Sequence, residues 1–192
     1  MKLKVFNLAI ITISIISCNS NSSKEINSIK VDSGKRATTQ TVTAKPAPAN
    51  NVVTKYLQLK NALADDNAKD AAKKARQLFD IVQQIDKKSL TTDQKKLYDE
   101  LKDDIEEHAE HISKSKNKIE HQRFHFDMLS KDMYDFVKVF KVNVTLYQIY
   151  CPMFNQGKGA TWLSEVKEIK NPYLGHGMPE CGTINEEIKG GD

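Results

Sequence analysis

The sequence predicts an all-α fold: an up-down four-helix bundle with a C-terminal extended segment and a loop-rich Cys/Met cap packed on it. Three observations predict it. Between about residues 52 and 140, apolar side chains recur at three- and four-residue spacing in four successive runs. The connections between runs are short, so neighbouring helices are expected to be antiparallel. After Lys141 the period changes, and most of the glycine and proline collects there with the single tryptophan, Trp162.

The first helix is expected from about Val52 to Ala64, with Val52, Val53, Tyr56, Leu57 and Leu63 facing the core. Asp65-Asp66-Asn67 breaks it and supplies caps for the next. The second is expected from about Ala68 to Ile85. Its stripe is the cleanest: Ala68, Ala71, Ala72, Ala75, Leu78, Phe79, Val82 and Ile85. The third starts after Thr91-Thr92-Asp93-Gln94 and repeats Leu97, Leu101, Ile105, His108 and Ile112. The fourth starts near Lys118, with Ile119, Gln122, Phe126, Leu129, Met133, Phe136, Val137 and Phe140 on one face. Residues 142–150 are β-branched and aromatic with partial alternation, which predicts an extended segment. Trp162, Leu163, Tyr173 and Leu174 are large apolar groups, so the tail is expected to be ordered and docked on the helices.

The N-terminus reads as a targeting segment. Residues 5–17 form an apolar run behind Lys2 and Lys4, a basic region followed by a hydrophobic one. The run is shorter than the roughly 20 apolar residues of a membrane-spanning helix. It ends in Ile15-Ile16-Ser17-Cys18, which resembles a bacterial lipobox, with cleavage before Cys18 and lipid on that cysteine. An ordinary secretory signal with an incidental cysteine is the alternative. Residues 19–51 are rich in Ser, Asn, Thr, Lys and Pro and lack apolar periodicity. They are expected to form a disordered tether, because they bury too little apolar surface to offset the entropy of ordering. The expected organisation is thus residues 1–18 as signal peptide, 19–51 as tether and 52–188 as the folded domain.

The formal net charge is +4, and the helical lysines alternate with Asp and Glu, a solvated face rather than a nucleic-acid patch. No phosphate-binding loop, His-Glu-x-x-His pattern or Cys-x-x-Cys-His haem site is present, and no catalytic residues are proposed. An enzyme is therefore not expected.

The informative residues are soft metal ligands. Cys151-Pro152-Met153 and His176-Gly177-Met178-Pro179-Glu180-Cys181 hold every cysteine except Cys18. Thiolate and thioether sulfur with imidazole select Cu(I) and, to a lesser degree, Zn(II). His121 and His125 are spaced i, i+4 on the fourth helix, a spacing that can share a metal, and His108 and His111 are spaced i, i+3 on the third. The bland readings compete. His108 on the apolar stripe fits a hydrogen-bonded core histidine, and His111 and His121 fit solvated faces. Cys151 and Cys181 could instead form a disulfide in an oxidising compartment. Two local features favour metal: Pro152 stiffens a two-sulfur segment, and Met178 and His176 precede Cys181 in a turn, where a disulfide needs neither.

The stretches Tyr56-Leu57-Gln58-Leu59-Lys60-Asn61-Ala62-Leu63, Gln122-Arg123-Phe124-His125-Phe126, Tyr150-Cys151-Pro152-Met153, Gly159-Ala160-Thr161-Trp162-Leu163-Ser164 and Asn171-Pro172-Tyr173, with Met178 and Cys181-Gly182, resemble the domain of unknown function 3347 family over about Tyr56 to Ile188. Members are exported bacterial proteins, often lipoproteins, and the domain is also found fused to periplasmic adaptors of heavy-metal efflux pumps. The resemblance implies a copper- or heavy-metal-related role. It carries over His125, Cys151, Met153, Met178 and Cys181 as motif positions; His176 and His121 lie outside it.

The sequence is therefore read as a periplasmic lipoprotein, anchored through Cys18 to a bacterial membrane, the outer membrane being favoured. It would bind Cu(I) or another soft ion through His125, Cys151, Met153, Met178 and Cys181, in copper or heavy-metal homeostasis or efflux, with an efflux adaptor or other envelope protein as partner and no nucleic acid. The alternative is a structural or interaction module of the envelope stapled by a Cys151–Cys181 disulfide. A copper-dependent redox enzyme is a third, weaker reading, because it needs an open ligand position and a substrate pocket.

Overall fold

The computed structural model describes residues 48–191. Cys18, the apolar run before it and the segment up to residue 47 lie outside the described residues.

Four helices make up the larger part: α1 (Pro48–Ala64), α2 (Ala68–Val82), α3 (Thr92–Lys114) and α4 (Ile119–Val139). Helix α1 is already formed at Pro48, the first described residue, so residues 48–51 belong to the helix and not to a tether. Asn67 caps α2 by accepting the Asp70 amide at 3.0 Å. That helix stops at Val82 rather than Ile85, although Ile85 remains buried after the turn. Thr91 and Gln94 form a reciprocal capping box at the start of α3. Each helix packs on its neighbour in sequence, and α4 also meets α1.

The tail corrects the all-α expectation. It contains a three-stranded antiparallel sheet of β1 (Leu146–Cys151), β2 (Ala160–Ser164) and β3 (Thr183–Ile188), in the order β2-β1-β3. The expected extended segment survives as β1, but it starts at Leu146 rather than Val142. Ile149 faces Trp162 on one side and Ile184 on the other. Between β1 and β2 the chain reverses through one left-handed turn at Phe154–Gly157, with positive φ at Asn155, Gln156 and Gly157. Sheet and helices share one core, in which Trp162, Leu163 and Tyr173 are buried with Tyr56, Phe126 and Leu129. The expected docking of the tail is therefore observed.

Polar contacts fix the join. The Tyr56 hydroxyl meets Ser130 Oγ at 2.8 Å and accepts the Leu163 amide at 3.1 Å. Buried Lys60 donates to Glu165 Oε2 at 2.8 Å and to Ser164 Oγ at 3.3 Å. Arg123 donates through Nε to the Pro172 carbonyl at 2.9 Å and pairs with Asp66 in the α1–α2 turn. Asp66 also accepts the His176 amide at 2.9 Å and faces the His176 ring at 3.1 Å. These contacts hold the tail against α1, α4 and the α1–α2 turn.

Candidate functional site

The sulfur residues gather at one end of the sheet. Cys151 closes β1, is fully buried and pairs with Ala160 of β2. On its other side β1 pairs with β3, with Tyr150 opposite Thr183. Extending that register brings Cys181, two residues before Thr183, beside the Cys151-Pro152-Met153 turn. Both cysteines are free thiols, and they lie close enough for the Cys151 sulfur to raise the pKa of Cys181. Burial raises the Cys181 pKa, the Cys151 sulfur raises it further, and the Met153 amide opposes both.

Asn171 shapes the segment that delivers Cys181. Fully buried, it donates from Nδ2 to the Cys181 carbonyl at 2.6 Å. Its Oδ1 accepts the amides of Tyr173 at 2.8 Å and Leu174 at 2.9 Å. Met178 sits in the same turn, where its carbonyl accepts the Cys181 amide at 3.2 Å. The side chains of Met153 and Met178, both in turns outside the strands, are exposed.

His125 lies elsewhere, on the α3–α4 hairpin. The connection Ser115–Lys118 is short, so the last turns of α3 face the first turns of α4. His108 and His111 thereby meet His121 and His125. The His125 ring stacks on His111 at 4.3 Å between centroids, meets His121 edge-on at 4.7 Å and lies 5.5 Å from His108. Nδ1 of His125 approaches Nδ1 of His108 at 3.4 Å. Candidate ligand atoms of His111, His121 and His125 all lie within 4.8 Å of one another. Among the described residues this is the one group of three or more His, Cys, Asp or Glu so gathered, and it contains no cysteine. The structure thus brings together Cys151, Cys181 and the Met153 backbone, and separately His125 with three other histidines. His176 is held by Asp66.

Burial and then the neighbouring rings of His111, His121 and His108 hold His125 down at about 4, so it is neutral at neutral pH with a lone pair available. His108 is half-buried and also lowered, first by burial. Its Nε2 faces Asp132 at 4.0 Å. Asp132 is raised to about 6 by burial and by the charges of Asp104 and Asp135. His111 and His121, expected on solvated faces, are indeed exposed, yet they converge on His125. The signal was present in the paired helical spacings and the short connection between them.

Among the described residues no helix is long and apolar enough to cross a membrane. Fold and donors together define a helical-bundle domain with a sheet-bearing tail and two clusters of metal-type ligands. Residues 52–145 match the family described as Protein of unknown function (DUF3347), the family that the sequence resembles. The match takes in the four histidines of the hairpin and ends just before β1, so Cys151 and Cys181 lie beyond it. No curated protein and no solved structure matches the chain.

Proposed function

We propose that the domain binds a soft metal ion, Cu(I) first, through the thiolates of Cys151 and Cys181 with thioether support from Met153 and Met178. The observation that carries this reading is the placement of two free thiols side by side, Cys151 at the end of β1 and Cys181 brought beside it by the β1–β3 register. Thiolate and thioether donors prefer Cu(I) over harder ions. Cys151 is buried, whereas Cys181 is partly exposed and the flanking Met153 and Met178 are exposed, so an ion can approach from that side.

The biological setting rests on the sequence: an apolar leader ending in a lipobox-like Ile15-Ile16-Ser17-Cys18, and a long polar tether behind it. On this reading the protein is a lipid-anchored envelope protein in copper or heavy-metal homeostasis or efflux, with an efflux adaptor or another envelope protein as its partner. The four helices are read with it as an up-down bundle, on the strength of their short connections.

Anaerobic titration of the reduced protein with Cu(I) against a competing chelator tests the site. The expected result is one tight equivalent, lost in Cys151→Ser and retained in His125→Ala, because His125 belongs to the other cluster. Unchanged affinity in Cys151→Ser would refute the proposed site. The placement of the two thiols side by side also favours a second reading, a Cys151–Cys181 disulfide that staples the tail. Thiol counting on protein taken from an oxidising compartment decides between them: two titratable thiols exclude the disulfide.

A further inference from the structure

We propose that His111, His121 and His125 form a second metal site, separate from the thiols, that takes a divalent first-row transition ion of the Zn(II) and Cu(II) class. The proposal goes beyond the soft-metal reading and does not depend on it.

The geometry is close to what three imidazoles need. Nitrogens around a tetrahedral ion stand about 3.4 Å apart when the metal–nitrogen bonds are about 2.0–2.1 Å. The three candidate nitrogens already lie within 4.8 Å of one another, so the widest pair has to close by at most roughly 1.4 Å. His111 and His121 are exposed, and rotation about their side-chain bonds supplies that movement without disturbing the core. His125 is the fixed ligand, held between helices. Because the site opens to solvent through the two exposed rings, a bound ion keeps a position for water or for a donor from a partner. Three imidazoles with an open position suit Zn(II) and Cu(II), whereas a thiolate pair suits Cu(I).

The surroundings add a support. Ligating histidines usually engage their second ring nitrogen with a neighbouring polar group, which fixes the ring. His125 Nδ1 is engaged by His108 at 3.4 Å, and His108 Nε2 faces Asp132. That leaves His125 Nε2 for the ion and makes His108 a positioning residue. A packing role alone does not account for the arrangement. Four of the five histidines in the chain meet at one place, two of them at solvent-exposed positions where burial gains little. Glu107 lies 3.8 Å from His111 and is the nearest competing partner for that ring.

Co(II) alone is the probe, added to the full chain under reducing conditions and followed by absorption. The expected result is one bound ion with tetrahedral visible bands and no sulfur-to-cobalt charge transfer. Binding should weaken at least tenfold in His111→Ala and in His121→Ala, two exposed positions whose loss leaves the fold intact. It should be unchanged in Cys151→Ser, and Zn(II) should displace the Co(II) competitively. His108→Phe should weaken binding and alter the visible bands, whereas His108→Gln, which can still hydrogen-bond to His125, should restore much of both. A sulfur charge-transfer band that disappears in Cys151→Ser would place the ion on the thiols and overturn the proposal. So would the absence of binding, or equal affinity in the His111→Ala/His121→Ala double variant.

Discussion

Asp132 shows how the histidine hairpin sets the pH response of the metal-free protein. Its Oδ2 is buried without a hydrogen-bond partner, and the groups facing it are His108 from α3, the carboxylates of Asp104 and Asp135, and Lys131. Burial leads in raising it from 3.8 to about 6. Between those values the folded state holds a proton that the unfolded chain has released, so stability falls as pH rises through this window and the whole cost is present above it. His125, facing His108, His111 and His121, is lowered from 6.5 to about 4, and it acts in the opposite sense. Its contribution is complete above 6.5 and is lost as pH falls toward 4. The two slopes oppose each other in mildly acid solution. Asp132→Asn is therefore predicted to melt higher than the wild type in chelator at about pH 7.5, with the gap closing near pH 4. The variant should then lose stability steadily on acidification, following His125. Melting curves across that range check this; an equal gap at both ends would show that Asp132 titrates like an exposed carboxylate.

At the scale of elements, the tail depends on Asn171 more than on any strand propensity. Removing its side chain leaves the buried amides of Tyr173 and Leu174 and the carbonyl of Cys181 without their partners. Asn171→Ala is predicted to cost about 2–4 kcal/mol, since each buried polar group left unpaired costs about 1–3 kcal/mol and nearby water recovers part of it. Amide exchange should quicken in β3 and around Cys181 while α2 and α3 stay protected; a uniform change across the chain would count against a local role. The helices were legible because a 3.6-residue apolar stripe declares both the element and its buried face. Strand β3 was not, because Thr183-Ile184-Asn185-Glu186-Glu187-Ile188 is a largely exposed edge strand with no continuous apolar face. What fixes it is tertiary: pairing with β1, and Glu186 accepting from Tyr134 at 2.7 Å and Lys138 at 2.5 Å. The two ligand clusters were half legible for the same reason. Residue types and spacings were visible, but periodicity does not say how two helices are rotated against each other. His125 was therefore grouped with the sulfurs instead of with His111 and His121.

For the whole molecule, the matched family segment and the cooperative unit do not coincide. The match ends at Thr145, yet the core continues through Leu146, Ile149, Trp162, Leu163 and Tyr173. Tyr173 lies 5.6 Å from the Phe126 ring and 5.9 Å from Trp162, and Phe126 in turn stacks on Tyr56 at 5.3 Å. A chain ending at Thr145 would expose that face of α1 and α4. Each large side chain lost from the core forfeits about 1.5–3 kcal/mol of burial, and the loss of several is comparable to the whole stability of a domain this size, about 5–15 kcal/mol. It would also strand the Lys60 ammonium, whose pKa is already lowered by burial and whose partners Glu165 and Ser164 both lie in the tail. The truncated chain is accordingly predicted to keep much of its helical circular dichroism while binding a hydrophobic dye and losing its sharp denaturant transition. A truncated chain with the full-length midpoint and slope would instead mean that the helices are self-sufficient and the sheet is an appendage. The predicted outcome ties the two ligand clusters together physically. The thiols sit on a sheet that folds only against α1 and α4, and α4 carries two of the histidines, so loading either cluster should raise the melting temperature of the entire chain, as ligand binding to the native state alone requires.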